Sequence, residues 1–475
     1  MLFPTATFAV FFAVVLPLSW LLMPRQRAWR PFMLLASYFF YGWWDWRFCF
    51  LLAGSTIGNQ LFALGIARQP PGSRRKALLG LAVAFNLGLL GYFKYAGFFL
   101  SSTENLLNDL GVGAAFGVVS VTLPVGISFF TFCALSYVID TYRGVTQPTT
   151  LPKFAVFLSF FPHLVAGPIV RASELVPQLD SPRDPRRIDV GRAFLLIGTG
   201  LFLKVVIANF LADRIVDDVF GTPDRYSSFE VLVGIYGYSV QIFADFCGYT
   251  NIAIGLALLL GFRFPQNFDN PYTALSIRDF WRRWHMTLSR WLRDYLYIPL
   301  GGNRKGRVRT YVNLMAVMLI GGLWHGAAWT FVVWGGMHGT MLCVEHWWAE
   351  RRDRLGLPPP RDGLGARVVK RLIVFNLVCV AWVFFRADSF ANAADVLGRL
   401  WGHWGEGAAL VTPAVILAIA VGIGGQYLPK GVGQTLMAGF SRWHPVAQGA
   451  VAALALVVIS SMGPQGVAPF IYFRF

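Results

Sequence analysis

Two histidines in apolar, tryptophan-rich segments are the residues of this sequence best suited to proton transfer. His285 follows Trp284 in the segment DFWRRWHMTLSRWLRDYLYIPLGG, and His325 lies in GLWHGAAWTFVVWGGMHG. A desolvated imidazole stays neutral and can take a proton from an attacking hydroxyl or thiol. An ionisable group at membrane depth is costly, which favours a functional role. The residue types leave catalysis and hydrogen-bonded packing open for this pair, whereas His163 and His338 are expected to have packing roles.

Arginines surround the first of these histidines and suggest a ligand with phosphate groups. The guanidinium fork matches phosphate oxygens well. The segment therefore predicts a site for a cofactor with several phosphates that arrives from the cytoplasm, and anionic lipid head groups are the alternative ligand. The arginines concerned are Arg282, Arg283, Arg290 and Arg293. No metal site is predicted, because the five cysteines are scattered through apolar segments without metal-ligand spacing.

The local sequence predicts a helix that positions the first histidine. Ser276 is a suitable N-cap, and Asp279 three residues later continues a capping box. A helix from there through the arginines would bury one apolar stripe and turn most guanidinium groups to the cytoplasmic boundary. The stripe consists of Trp281, His285, Leu288 and Leu292. The second histidine is predicted to lie deep in another span, whose glycines allow a neighbouring helix to approach closely.

Further polar groups lie in apolar surroundings. Lys94 and Asp245 are predicted either to form a buried ion pair or to line a tunnel, and the sequence leaves both possibilities open. The aromatic segment FIYFRF at residues 470–475 is typical of an interfacial belt. The hydroxyl of Tyr472 within this segment is also able to carry an acyl group.

Composition indicates that these residues belong to an integral membrane protein. Only 14% of the 475 residues are charged, against about 25% in soluble proteins. The mean hydropathy is +0.54, and apolar stretches of about 20 residues, the length that crosses a bilayer, recur along the chain. The basic residues that give the net charge of +17 lie mainly in loops between these stretches. This pattern favours positively charged cytoplasmic loops over nucleic-acid binding. The first stretch is predicted to be a retained span, since no basic region precedes it.

The predicted fold is an all-α membrane protein with about twelve transmembrane helices, the length of each span being set by the bilayer. A segment at 153–170 is predicted to be broken or re-entrant, because it contains Pro162 and a Gly-Pro pair. An even number of spans places both termini outside. The spans are predicted near 5–23, 31–44, 47–67, 78–100, 123–141, 193–212, 231–260, 311–327, 329–348, 371–386, 410–427 and 446–463.

Several segments together resemble the membrane-bound O-acyltransferase superfamily, most closely its bacterial branch that acetylates alginate or D-alanylates teichoic acid. They are NLGLLGYFKYAGFF, LPVGISFFTF, FFPHLVAGPI, DFCGYTNIAIGLALLLGFRFPQNFDNPY and the two histidine segments. The recurring apolar stretches predict one polytopic membrane domain over 1–475, with C-terminal helices and tail at 371–475, and the resemblance places the superfamily-like core at about 85–340. It also implies a funnel-like ring of helices with a thinned centre.

The resemblance further implies roles for residues. His325 would be the catalytic histidine of the superfamily, and His285 would occupy the position of its partner, which is Asn or Asp in other branches. The donor would be cytoplasmic acetyl-CoA, and the acetyl group would cross a bacterial inner membrane to a secreted or cell-surface polysaccharide. Tyr472 fits the F-x-Y-x-x-F pattern of an acyl relay in related D-alanyl transfer systems. A periplasmic SGNH-type acetyltransferase would be the partner, and both termini would be periplasmic.

Two other functions remain open at this point. A transporter or polysaccharide export channel would use the buried charges as a pathway and the histidines as pH-sensitive gates, although transporters often contain internal repeats and none is evident here. Alternatively, a member of the same superfamily would acylate a lipid or a protein.

Overall fold

The computed structural model describes residues 1–113, 115–116, 121–358, 362–429, 431–440, 442–444, 446–451 and 454. Within these ranges every regular element is a helix and no strand occurs. The predicted all-α class is therefore confirmed.

Helices follow one another closely along the chain. Two of them, α4 and α9, are long composites that contain π-helical turns, at Gly91–Tyr95 in α4 and at Phe202–Ala208 and Ala212–Val216 in α9. The first ten are α1 (Ala6–Leu22), α2 (Gln26–Gly42), α3 (Phe48–Arg68), α4 (Ser73–Asp109), α5 (Ile127–Arg143), α6 (Leu151–Ser159), α7 (Phe161–Leu164), α8 (Ala172–Leu175), α9 (Val190–Gly221) and α10 (Ser228–Leu259). The others are α11 (Ile277–Arg283), α12 (Met286–Leu292), α13 (Arg307–His325), α14 (Trp329–Arg354), α15 (Leu364–Arg386), α16 (Phe390–Gly398), α17 (Pro413–Gly424) and α18 (Gly431–Phe440).

Several helices are suited to cross a membrane. Among the residues that the structure describes, five helices (α3, α4, α9, α10 and α15) are long and apolar enough, and a sixth span results if α17 and α18, which are bent by 94°, count as one. Every predicted segment from 5–23 to 410–427 coincides with a helix, whereas 446–463 runs largely outside the described residues. The count of about twelve is not confirmed, because helices such as α1, with 17 residues, are shorter than the roughly 20 residues that a bilayer requires.

Contacts divide the chain into two compact units. The first contains Met1–Val190 and Leu256–Pro265, and the second contains Gly191–Gly255 and the described residues from Gln266 onward. Both histidines singled out above belong to the second unit. The single membrane domain remains a prediction about the whole chain.

The first unit contains the predicted interruption near Pro162. Helix α6 ends at Ser159, Phe160 leaves helical geometry with φ −53° and ψ 107°, and α7 is a single short turn. A methyl group on Gly167 would lie 2.4 Å from the Cα atom of His163. The backbone therefore turns back closely between these two residues. The predicted broken segment is confirmed.

Helices α13 and α14 form a tight hairpin, because glycines allow their backbones to touch. A Cβ atom on Gly322 would lie 2.3 Å from the carbonyl oxygen of Phe331, and one on Gly335 would lie 2.3 Å from that of Met318. Both distances are too short for a real side chain. The predicted glycine-mediated approach is confirmed, and it fixes the end of α13, where His325 lies.

The predicted helix through His285 begins as expected and then breaks. The Ser276 hydroxyl accepts a hydrogen bond from the Asp279 amide at 3.1 Å, which confirms the N-cap. Helix α11 ends at Arg283, however, and α12 begins only at Met286. His285 between them has a left-handed backbone with φ +42°. The continuous stripe through His285, Leu288 and Leu292 is therefore wrong.

Hydrogen bonds to a neighbouring segment, residues 267–269, explain the break between α11 and α12. The Met286 amide donates to the carbonyl oxygen of Asn267 at 2.9 Å, and the Asp269 amide donates to that of Arg283 at 2.9 Å. These bonds replace helical bonds that a continuous helix would have made. The interruption thus depends on residues 267–269. These residues lie outside the segment whose helix propensity predicts one continuous helix.

Candidate functional site

His325 lies at the C-terminal end of α13 and is enclosed by aromatic rings. It is 3% exposed, and the next residue, Gly326, has extended backbone before α14 begins. The imidazole meets its neighbours edge to face, with ring-centroid distances of 5.0 Å to Trp324, 5.0 Å to Trp334 and 5.3 Å to Phe385. These contacts restrict the ring while keeping bulk water away from it.

His285 is held by a side-chain amide. It is fully buried, and its Nδ1 lies 3.1 Å from Oδ1 of Asn267. The same oxygen accepts the Thr287 backbone amide at 3.2 Å and the Thr287 hydroxyl at 2.9 Å. Because a backbone N–H can only donate, this atom of Asn267 must be the carbonyl oxygen.

This hydrogen bond fixes the tautomer of a neutral His285. Nδ1 must carry the hydrogen that it donates to Asn267, so Nε2 carries the lone pair. Within the described chain Nε2 is buried and has no hydrogen-bond partner. Burial also disfavours a charged imidazole. His285 therefore presents an acceptor, and in this form it cannot donate to an oxyanion.

The two histidines are close together, although neither the chain order nor helical periodicity places them so. Their ring centroids are 6.4 Å apart at an interplanar angle of 61°. Trp324 contacts both, at 6.0 Å from His285 and 5.0 Å from His325. Phe246 of α10 packs perpendicular to the His285 ring at 4.6 Å. The pair thus occupies one aromatic pocket of the second unit.

A cavity of about 190 Å³ adjoins only one member of the pair. His325 lines it, whereas His285 is not among its described lining residues. The remainder of the wall is mostly apolar and is formed by Trp281, Leu288, Ser289, Leu292, Arg293, Tyr297, Leu314, Val317, Met318, Gly321, Trp334 and Leu342. A ligand in this cavity would meet the imidazole of His325 directly.

The four predicted cofactor-binding arginines lie in different surroundings. Arg293 lines the cavity and pairs with Asp294 at 2.7 Å, and this carboxylate raises the pKa of the Arg293 guanidinium. Arg283 pairs with Asp279 at 2.8 Å, one turn earlier on α11. Arg282 is exposed, and Arg290 is half-buried. Only Arg293 joins His325 in the cavity wall.

Asp245 has a buried ionic partner, and it is a lysine other than the predicted Lys94. The partner is Lys204 in the π-helical part of α9, and both side chains are 3% exposed. The helices approach closely here, since a Cβ on Gly200 would lie 2.6 Å from the carbonyl oxygen of Gly248. Lys94 instead has its Nζ 3.4 Å from the Ser128 hydroxyl. The suggested Lys94–Asp245 pair is therefore wrong.

The other two buried histidines differ from each other. Nε2 of His163 lies 2.8 Å from the carbonyl oxygen of Phe157, which is the expected packing role. His338 is fully buried between Trp281 and Trp334, at 5.1 and 4.9 Å between centroids. Within the described chain neither of its ring nitrogens has a hydrogen-bond partner. Its setting is aromatic packing without the expected hydrogen bond.

Two further predictions concern a relay residue and metals. Tyr472 and the FIYFRF segment lie outside the described residues. Among the residues that the structure does describe, no group of three or more His, Cys, Asp or Glu side chains is arranged to hold a metal ion.

Comparison with known proteins gives consistent matches. The family model of MBOAT, the membrane-bound O-acyltransferase family, matches residues 85–385. The chain is 42% identical over 403 residues, 83% of this chain and 79% of the relative, to a probable alginate O-acetylase AlgI of Pseudomonas putida. It is 38% identical over 402 residues, 78% of this chain and 74% of the relative, to a peptidoglycan O-acetyltransferase of Helicobacter pylori. A teichoic acid D-alanyltransferase of Streptococcus thermophilus is 28% identical over 309 residues, 60% of this chain and 70% of the relative.

Proposed function

The chain belongs to the membrane-bound O-acyltransferase family, and from that premise we propose that it passes an acetyl group from acetyl-CoA to hydroxyl groups of a secreted or cell-surface polysaccharide. The observation that carries the proposal is the position of His325, which faces an apolar cavity while a second histidine of fixed tautomer lies beside it. Relatives that bear the names of alginate and peptidoglycan O-acetylating proteins support the polysaccharide acceptor. The protein is a multi-pass membrane protein, and we place it in the inner membrane with periplasmic termini.

In the proposed reaction His325 acts as general base. The neutral imidazole takes the proton of the acceptor hydroxyl as its oxygen attacks the thioester carbonyl. Collapse of the tetrahedral intermediate breaks the carbon–sulfur bond, forms the ester, and expels a thiolate that receives the proton from His325. The products are an O-acyl ester and a free thiol, so protons balance. Aromatic walls exclude water, which limits hydrolysis of the thioester.

His285 is a positioning residue in this scheme. Its Nε2 is an acceptor, because Asn267 takes the hydrogen of Nδ1. With 6.4 Å between their centroids the two imidazoles are too far apart for a direct hydrogen bond, so His285 positions His325 through Trp324, whose ring contacts both. The earlier alternative, donation from His285 to the oxyanion, is disfavoured by this tautomer.

The donor is proposed to enter beside Arg293. This guanidinium and Tyr297 lie in the cavity wall, so the acyl thioester can extend from them toward His325. Arg282, Arg283 and Arg290 are retained as proposed contacts for the phosphates of coenzyme A. Arg282 is the most accessible of them, whereas Arg283 already has an ion pair.

Removing the oxygen that orients His285 should reduce turnover without abolishing folding. We expect Asn267→Leu to lower kcat by about tenfold or more, since a buried donor left without its acceptor costs roughly 1–3 kcal/mol. Asn267→Asp keeps an acceptor oxygen and should restore most of the rate. Steady-state kinetics of the purified protein checks both variants. Equal kcat for Asn267→Leu and wild type would contradict the orienting role.

Tyr472 is proposed to receive the acetyl group before a periplasmic SGNH-type partner passes it to the polymer. Tyr472→Phe keeps the ring and removes only the hydroxyl. We expect the O-acetyl content of the polymer to fall to the level of a strain without the gene, while the purified variant still cleaves acetyl-CoA when the hydroxyl of an added oligosaccharide takes the acetyl group. Undiminished O-acetylation would remove the relay while leaving the role of His325 intact.

The proposed function as a whole is tested by two measurements. O-acetyl groups on the cell-surface polymer are quantified with and without the gene, and acetyl-CoA cleavage is measured with the purified protein in lipid nanodiscs with an added oligosaccharide as the hydroxyl acceptor. We expect loss of O-acetyl groups in the first and release of free thiol in the second. A purified, folded protein that releases no thiol from any acyl-CoA would overturn the proposal, and so would an unchanged polymer.

A further inference from the structure

A second and larger apolar groove lies on a different face of the hairpin that α13 and α14 form. Its volume is about 520 Å³, and none of its described lining residues belongs to the wall of the cavity beside His325. Thr340 contributes the only polar side chain among these lining residues, so the groove is suited to hydrocarbon. The lining includes Met315 and Leu319 of α13 and Val333, Gly336, Met337 and Thr340 of α14.

Glycine and methionine give this groove an open and adaptable wall. A Cβ atom on Gly336 would meet one atom within 4 Å, the Leu319 Cδ2 at 3.6 Å, so the space above this glycine is free. Met315, Met337 and Met341 also line the groove. Their unbranched side chains adjust to ligands of irregular shape, which a flexible hydrocarbon chain requires.

The groove face of α14 continues to the basic end of the helix. Residues at intervals of three or four share one side of a helix. The groove residues Gly336 and Thr340 are followed at such intervals by the exposed residues Val344, Trp347 and Arg351. At about 1.5 Å per residue, Trp347 lies roughly 16 Å from Gly336 along the axis. This length matches one leaflet of a hydrocarbon core that is about 30 Å thick.

The end of this face has the residues of a membrane–water boundary. Trp347 and Trp348 are both exposed and lie at the end of the predicted span 329–348, and tryptophan is enriched at the level of lipid head groups. The guanidinium carbon of Arg351 lies 5.6 Å from the centre of the Trp347 ring. This contact directs Arg351 back along the helix toward the groove.

The charge around Arg351 favours an anionic ligand. Residues 304–309 and 345–354 meet at this end of the hairpin, where the Arg307 guanidinium donates to the Glu350 carboxylate at 2.8 Å. Together these two segments carry seven lysines and arginines and only three carboxylates. Within the described chain Arg351 stacks on an indole ring and has no carboxylate partner. Its fork of N–H donors is therefore available to a phosphate group.

We propose that this groove binds an anionic phospholipid, with an acyl chain along Gly336 and Met337 and the phosphate at Arg351. The inference goes beyond the proposed acyl transfer and does not depend on it, because the lipid is a bound ligand of the hairpin and not a donor or acceptor. Burial of the chain and attraction of the phosphate both stabilise the complex. A zwitterionic phospholipid with the same chains should bind more weakly, since its head group has no net negative charge.

Native mass spectrometry of the purified full chain measures which phospholipid remains bound after extended washing in mild detergent. The protein is first equilibrated in nanodiscs with equal amounts of phosphatidylglycerol and phosphatidylcholine that have identical acyl chains. We expect the wild type to retain phosphatidylglycerol about fivefold more than phosphatidylcholine, which is the contribution of one arginine near an anionic lipid. Arg351→Gln should remove most of this preference. Gly336→Phe fills the groove and should lower the retention of both lipids.

Arg309→Gln is the matched control, because it removes the same charge from an exposed arginine at the same end of the hairpin. Arg309 precedes Met315 by six residues, which is about 120° around α13 from the groove. Retention of phosphatidylglycerol should therefore stay as in the wild type.

Three results would overturn the proposal. Equal retention of phosphatidylglycerol by the wild type and Arg351→Gln would exclude the phosphate site. An equally large loss in Arg309→Gln would show that overall charge, and not this groove, attracts the lipid. Dimers that Gly336→Phe disrupts, without bound phospholipid, would assign the groove to a second copy of the chain.

Discussion

His325→Ala is expected to reduce acyl transfer by about a thousandfold while the protein remains in the membrane. General base catalysis typically contributes between 10² and 10⁴ in rate, and His325 is the histidine that faces the cavity. The fold should persist, because the substitution is at the end of α13, whose packing depends on Gly322 and Gly335. Alanine is also a strong helix former.

The measurement is kcat for thioester-dependent acylation, with membrane abundance determined by quantitative blotting. His325→Gln is a second variant that keeps size and hydrogen bonding but cannot take up and release a proton, and it should be as inactive. His163→Gln is the matched control, since His163 is equally buried but belongs to the first unit, where its Nε2 lies 2.8 Å from the Phe157 carbonyl oxygen. Its activity should stay within a few-fold of wild type. An alanine variant with more than a tenth of the wild-type rate would disprove the role of His325 as base.

The sequence predicts the parts of this site that rest on local signals. A histidine inside an apolar run is visible directly, and the glycines around His325 predict a close helix approach that the structure confirms at Gly322 and Gly335. Ser276 as N-cap is likewise local, because a hydroxyl bonds to an amide three residues away. Each of these inferences depends on residues within about one helical turn.

Other parts depend on contacts between distant residues and are not visible in a window of sequence. The left-handed backbone of His285 costs roughly 1–2 kcal/mol for a residue with a side chain. It is held by bonds to Asn267, which is 18 residues earlier. Local propensity therefore predicts a continuous helix, and the break, the fixed tautomer and the orienting amide are all found only in the folded chain.

The ion pair of Asp245 shows the same limitation. Hydropathy marks a buried carboxylate as needing a cationic partner, but Lys94 and Lys204 both lie within apolar stretches of their helices. The choice of Lys204 depends on how closely Gly200 and Gly248 bring α9 and α10 together. The sequence signal that favours Lys204 is a pair of small residues. Gly200 lies one helical turn before Lys204, and Gly248 follows Asp245 by three residues.

The second large effect is expected for Gly335→Ala, because the added methyl group should push α13 and α14 apart. Its Cβ atom would lie 2.3 Å from the carbonyl oxygen and 3.0 Å from the carbonyl carbon of Met318. Both are backbone atoms, so no side-chain rotation relieves the overlap. Overpacking of this kind costs about 1–3 kcal/mol. Because Met318, Trp334 and His325 all line the cavity, moving the helices apart also distorts the site.

The adjacent residue provides a control on the same helix. A Cβ atom on Gly336 would lie 3.6 Å from the Leu319 Cδ2, which is ordinary contact. Gly336→Ala should therefore leave stability unchanged or raise it by about 0.5–1 kcal/mol through lower backbone entropy in the unfolded chain. Gly335→Ala should instead lower the Tm of the protein in detergent by several degrees and reduce kcat by more than tenfold. If the two alanine variants had the same Tm and kcat, the arrangement of His325 and its cavity would not depend on the backbone contact between α13 and α14.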